Sequence, residues 1–186
     1  MILLGLGVLL FALCHLTLAV PQANAALRRS FGKFYGAGFG LLSLLPLVLI
    51  VLGWRISPFV PVYEPPSWGR IATFVLVLLA FLCLGVFLFR GSWRRLLRFP
   101  LAWGVAFWSL GHLCANGDGA SLVLFGGMLA YALAHLALGT ANGVRPSAIV
   151  RQGHDVISIV FGVALYGVVA QLHALFTGVP VVTLSL

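Results

Sequence analysis

The sequence predicts an all-α, polytopic integral membrane bundle of about six transmembrane helices. Three observations predict it: scarce charge, apolar stretches of bilayer-spanning length, and alternation of cation-rich and cation-poor connections. Of the 186 residues, 62% are hydrophobic and 8% are charged, against about 25% charged in a typical globular domain. So few ionisable groups cannot coat a water-facing surface. Lipid is the solvent for most of this chain.

A hydrocarbon core about 30 Å thick takes about 20 apolar residues at the helical rise. Lipid offers backbone groups no partner, so each span must satisfy its own hydrogen bonds as a helix. Six stretches qualify: Ile2–Val20, Gly36–Trp54, Ile71–Phe89, Leu101–Ala115, Ala120–Leu138 and Val156–Phe176. The first ends near Ala23-Asn24-Ala25, which resembles a signal-peptidase site. A secretory signal opens with basic residues, whereas Met1 leads directly into Ile2-Leu3-Leu4, so the run is read as a retained span. The fourth stretch is the shortest. No internal repeat or composition break divides the chain, which reads as one domain over residues 1–186.

The charge pattern checks the span count. Arg28, Arg29 and Lys33 fall in the first connection, Arg90, Arg94, Arg95 and Arg98 in the third, and Arg145 and Arg151 in the fifth. With six spans these connections share one side, which then holds nine of the eleven cations. Five spans would spoil the separation. The cationic side is cytoplasmic by the same rule, so both termini are expected on the periplasmic or exterior side. The formal net charge of +8 lies in short clusters between apolar runs and makes no basic domain, which argues against a nucleic-acid partner. Trp54, Tyr63, Trp68, Trp93 and Trp103 sit near span ends, as interfacial aromatic residues do. Residues 57–66 are too rich in proline for a helix; they read as a loop on the outer interface, either covering a cavity or simply connecting two spans.

Ionisable groups within a span are costly and mark candidate function. His15, His112, His135 and His173 qualify; His154, beside Asp155 at the start of the last span, reads as a capping or interfacial residue. Counting helical rise from the span ends puts His15 about 20 Å below the outer surface and His112 about 16 Å above the inner one. The two come within several ångströms of one level, while His135 lies near the inner surface and His173 near the outer. Neutral imidazole is a natural haem ligand, so His15 and His112 are the candidate pair for a shared buried metal, with Gly5, Gly104 and Gly111 giving helices close approach or room for a flat group. The opposing reading is that each histidine hydrogen-bonds a neighbouring helix.

Trp108, His112 and Asn116 recur at four-residue spacing and line one helix face. Asn116-Gly117-Asp118-Gly119 breaks the helix, and Asp118 is placed to cap the next one. Phe125-Gly126-Gly127, Tyr131 and His135 give the fifth span a small-and-polar face, read chiefly as packing. Gln171 and His173 form a smaller patch on the sixth. Cys14, Cys83 and Cys114 lie in apolar runs and read as inert thiols. There is no Walker loop, G-x-S-x-G or H-E-x-x-H motif. With Glu64, Asp118 and Asp155 as the only acids, paired-carboxylate hydrolysis and carboxylate-held metals are disfavoured.

The stretch from Arg98-Phe99-Pro100 through Trp108, His112 and Asn116-Gly117-Asp118 to Phe125-Gly126-Gly127 resembles the signature of the NnrU family. Phe11 to His15, and Leu172-His173 followed by Gly178-Val179-Pro180, resemble its ends. The resemblance implies a bacterial inner-membrane protein associated with nitrite and nitric oxide reduction. It also implies kinship with 15-cis-zeta-carotene isomerase, which uses haem b in redox-dependent isomerisation of a carotenoid. Carried over by motif, it implies haem b held by His15 and His112, a pocket shaped by Trp108 and Asn116, Arg98 meeting a propionate, and a hydrophobic polyene as partner. Two departures stand out. Phe99 replaces the histidine of the usual Arg-His-Pro, which argues against methyl transfer, and Ser109 offers no thiolate one turn before His112. The alternatives are a non-enzymatic membrane factor supporting denitrification and a small-solute transporter.

Overall fold

In a computed structural model, which describes residues 1–145 and 150–181, the apolar stretches are helical. The elements are α1 (Ile2–Leu16, continued by a tight turn to Ala19), α2 (Pro21–Phe31), α3 (Tyr35–Ile56), α4 (Gly69–Phe89) and the short α5 (Trp93–Leu96). There follow α6 (Pro100–Ala115), a single turn α7 (Gly119–Ser121), a π-helical turn over Leu122–Gly126, α8 (Gly127–Ala141) and α9 (His154–Thr177). Among the described residues, extended pairing is confined to a bridge between Pro61 and Asp118. The fold is the all-helical membrane bundle expected.

Five helical stretches are long and apolar enough to cross a bilayer: Ile2–Ala19, Pro21–Ile56, Gly69–Phe89, Gly119–Ala141 and His154–Leu175. The sixth pass is α6, whose 16 residues reach only about 24 Å. It runs between α4 and α8 and buries Ala102, Gly104, Ala106, Ser109 and Gly111. Leu101, Trp103 and Leu110 stay exposed on its remaining face. The chain thus passes back and forth six times, with Met1 packed beside Gly119 and Val181 hydrogen-bonded to Arg70 at one end. Arg28, Arg94 and Arg98 lie in connections at the opposite end.

The first connection departs from a plain loop. Pro21, pre-set for the first turn of a helix, opens α2, which is amphipathic and has no buried residue. Apolar Leu27 and Phe31 alternate with Asn24, Arg28 and Arg29 at helical spacing, the pattern of a helix lying along a membrane surface.

Glycines set how closely the spans approach. On α1, a side chain at Gly7 would meet the Ile50 backbone nitrogen of α3 at 2.8 Å, and one at Gly53 of α3 would strike the backbone of Leu4. The two helices therefore touch backbone to backbone, as small residues allow in lipid. Gly85 of α4 meets Ser158 of α9 in the same manner, and Gly104 and Gly111 of α6 press on α4. Gly104 and Gly111 are thus packing residues rather than room for a flat group. The core between α1, α6 and α8 comprises Leu4, Val8, Ala106, Ala120, Met128, Tyr131 and Ala132. Leu41, Leu44, Leu45 and Leu52 of α3, and Val156, Val160 and Val168 of α9, remain exposed on faces suited to lipid.

Gly53→Leu will lower the free energy of unfolding by about 1–3 kcal/mol through overpacking against backbone that cannot yield. Gly40→Leu, where a side chain meets nothing within 4 Å, will be near neutral. Unfolding of the two variants by titration with a denaturing detergent distinguishes these outcomes.

Candidate functional site

The richest polar constellation forms where α6 ends. The last carbonyls of a helix lack intrahelical donors, and here a side chain from another segment supplies two of them. The His112 carbonyl accepts from Asn116 N at 2.9 Å and also from Asn116 Nδ2 at 2.8 Å. The Tyr63 hydroxyl reaches across from the 57–68 segment to the carbonyls of Leu113 and Asn116. That segment is further tied by Val62 N and Tyr63 N to Gly117 O at 2.8 and 3.0 Å, and by Gly119 N to Val60 O at 2.8 Å. It is therefore a strap bonded over the α6–α7 turn. Gly117 is required there, since a side chain would collide with the Tyr63 carbonyl. Asp118 caps α7 as its position predicts, accepting from Ser121 N at 3.0 Å and from the Ser121 hydroxyl.

Beneath this strap lie the rings. Trp108 and His112 adjoin on one face of α6, with ring centres 5.2 Å apart. The π-turn swings Phe125 against both: it stacks on His112 at 4.4 Å and meets Trp108 edge-on at 4.9 Å. Such wide turns recur at functional sites because they re-aim a side chain within a helix. The fourth ring is His173 of α9, 6.5 Å from His112 with the planes inclined by 24°. His112 Nδ1 lies 2.8 Å from the Trp108 carbonyl, and His173 Nδ1 lies 2.9 Å from the Val179 carbonyl. A carbonyl only accepts, so a neutral ring held this way carries its proton on Nδ1 and keeps a lone pair on Nε2. That second bond is what orients a metal-ligating histidine. Thr177, whose hydroxyl lies 3.0 Å from the same Nδ1, supports the His173 ring.

The pair anticipated from depth, His15 with His112, is not brought together. His15 stacks on Phe11 at 3.9 Å and lies edge-on to Phe39 and Tyr131 at 5.3 and 6.2 Å. Its Nδ1 is 3.0 Å from the Phe11 carbonyl. Tyr131, which marks the level of His15, follows Phe125, which marks that of His112, by six residues on one helical rod, or about 9 Å of rise. His15 belongs instead to a separate cluster with Tyr131, His135 and Phe99, toward the cation-bearing end. His135 is 5.9 Å from Tyr131 and 5.8 Å from Phe99, and its buried Nδ1 has no partner among the described residues. Phe99 also fills the space above Gly139, so the ring standing in place of the usual histidine packs α6 against α8.

Arg98 lies at this cation-bearing end too. Its Nε donates to the Val144 carbonyl at 2.7 Å, which fixes the α8–α9 connection rather than facing His112. Pro100, twelve residues before His112, opens α6 at its first turn; that interval is about 18 Å of rise. His154 does not cap α9, which has no side-chain cap; its Nδ1 lies 3.1 Å from the Phe89 carbonyl at the end of α4, while Asp155 accepts from Ser92 N and Trp93 N at 3.0 Å each. Among the described residues no three His, Cys, Asp or Glu side chains converge as a metal site.

Fold and site together define a polytopic α-helical membrane protein with two intramembrane imidazole clusters, one at each end of the bundle. It belongs to the NnrU family: the family model described as NnrU protein matches residues 3–181. No curated protein and no solved structure matches the chain.

Sequence reasoning found Trp108, His112, Asn116 and Asp118 but missed the partnership of His112 with His173 and the role of Tyr63. A signal for His173 existed. Gly178, in the left-handed conformation at φ 77°, ends α9 and folds Val179 back onto the ring. Tyr63 gave none, because its contact spans 50 residues of sequence.

The Tyr63 phenol is held above its ordinary pKa, first by partial burial and then by Cys114 and Asp118 nearby. A raised phenol pKa means the neutral, donating form is favoured when folded. The strap's contribution is therefore complete below the ordinary value of about 10 and is lost as pH rises through the folded value. In a phenolate absorbance titration, Tyr63→Phe will remove one tyrosine from those that titrate above the ordinary value. That variant will also lose about 1 kcal/mol of stability at neutral pH.

Proposed function

We propose that this chain is a redox-active membrane protein that would hold haem b at the outer end of its bundle through His112 and His173. The observation that carries this reading is the 6.5 Å separation of two nearly parallel imidazoles, each fixed through Nδ1 by a carbonyl. A bare structural ion needs about four protein ligands. Two neighbouring imidazoles without a third donor would suit a group that brings nitrogen ligands of its own. The pairing of His15 with His112 fits less well, because the rings differ in level and neighbours.

When bound, haem b supplies a one-electron redox centre. The chain's own part is to orient and enclose. Trp108 and Phe125 wall the His112 ring, Asn116 and Tyr63 hold the end of α6, and the strap separates the site from the aqueous phase. Redox-dependent cis–trans isomerisation of a hydrophobic polyene follows from the family resemblance. It gains support from an apolar groove of about 410 Å³ between α1 and α8, lined by Gly5, Val8, Ala12, Val123 and Tyr131. The reading places the protein in a bacterial inner membrane with both termini periplasmic and the nine cations cytoplasmic. A supporting role in nitrite or nitric oxide reduction would use the same redox centre without turnover of a lipid.

The visible spectrum of detergent-purified protein, oxidised and dithionite-reduced, tests the reading together with a pyridine haemochrome assay. Stoichiometric b-type haem is expected, lost or converted to high spin in His112→Ala and His173→Ala and retained in His15→Ala. Folded protein that stays colourless after reconstitution would overturn the haem proposal. Loss of haem in His15→Ala with retention in His173→Ala would overturn the assignment of ligands.

A further inference from the structure

The inner end of the bundle has a surplus of cations and almost nothing of its own to pair with them. Of the three acids, Glu64 and Asp118 lie at the outer end, and the Asp155 carboxylate is taken up by the backbone of Ser92 and Trp93. One of the inner cations is nevertheless built into place. Arg28 donates through Nε to Asn24 Oδ1 at 2.9 Å. Its guanidinium lies over the Tyr35 ring, 4.3 Å from the ring centre, and the Tyr35 hydroxyl bonds the same Asn24 oxygen at 3.2 Å. Asn24 and Tyr35 thus fix the guanidinium's Nε and one face, and its two terminal nitrogens have no hydrogen-bond partner among the described residues. An arginine held in this way recognises a phosphate with little ordering cost, because its planar fork is already oriented.

A groove of about 340 Å³ adjoins it, walled by Leu18, Pro21, Ala25 and Val144 with Asn24 and Arg28 at the polar side. Two independent bonds shape its far wall: Asn142 Nδ2 to the Ala19 carbonyl at 3.1 Å and Arg98 Nε to the Val144 carbonyl at 2.7 Å. The groove therefore joins an apolar trough to one oriented cation, at the level where an amphipathic helix lies along the membrane surface. We infer that it binds an anionic phospholipid, the phosphate on the terminal nitrogens of Arg28 and the upper acyl chain along Leu18, Pro21 and Val144. Arg29 and Lys33, on the same short segment, add to the attraction without defining the site.

The test uses full-length protein in detergent, given mixed micelles of phosphatidylglycerol and phosphatidylcholine, with retained lipid counted by native mass spectrometry. Phosphatidylglycerol is expected to be retained in preference, and Arg28→Gln to weaken that preference about fivefold. Asn24→Ala keeps every charge but frees the guanidinium, and will weaken it by a smaller factor. Arg55→Gln, at the outer end, will leave it unchanged. The proposal is overturned if folded Arg28→Gln retains phosphatidylglycerol as the parent does, or if Arg55→Gln weakens retention equally. Inorganic phosphate displacing the lipid at equal concentration would identify a general anion site instead, and would likewise overturn it.

Discussion

A helix of sixteen residues ends in carbonyls that its own backbone leaves unpaired, and the end of the bundle around Asn116 is built on that constraint. A carbonyl without a donor costs free energy, so the end of α6 recruits one from another segment. Asn116 turns its amide back onto the last turn, and Tyr63 is brought across from a distant connection. Gly117 lets the strap lie close, and Asp118 restarts the chain as the next helix. The same closure places His112 three residues from the helix end. From there its ring meets Phe125 of the π-turn and His173 of the last span.

The two ends of the bundle solve different problems. The end at Asn116 is closed by the Tyr63 bonds and the Asp118 cap and holds a pair of oriented imidazoles. The opposite end carries nine of the eleven cations and pins its connections by single arginine and asparagine bonds to carbonyls. Between them the spans are fitted by glycine at backbone contact, which suits lipid, where burial of apolar surface gives no net drive for helices to associate.

Most of the fold was legible in the sequence, because lipid imposes a simple rule on length and hydropathy and the cations mark one side. The starts and stops of α4 and α9 fall within a few residues of expectation. What was not legible has physical causes. The amphipathic α2 lacks the apolar run of a span, and its register shows only as the spacing of Leu27 and Phe31 against Arg28. The depth count for His15 and His112 assumed straight spans crossing a uniform slab, and it carried no information on which helices adjoin. Lateral neighbours such as His173 and Tyr63 depend on packing that no single-sequence periodicity records. Arg98 looked like an anion ligand because it is a cation near a signature motif, whereas the partner it finds is the Val144 carbonyl.

The account rests on His112 and His173 facing one another, and their proximity can be measured without reference to any cofactor. In a background with Cys14, Cys83 and Cys114 replaced by alanine, cysteine pairs at positions 112 and 173 and at positions 15 and 112 would be treated in membranes with a short bifunctional thiol reagent. Cross-linked peptides would then be identified by mass spectrometry. The account predicts an intramolecular link for the 112–173 pair and none for the 15–112 pair. The reverse pattern would contradict it and return His15 to the site.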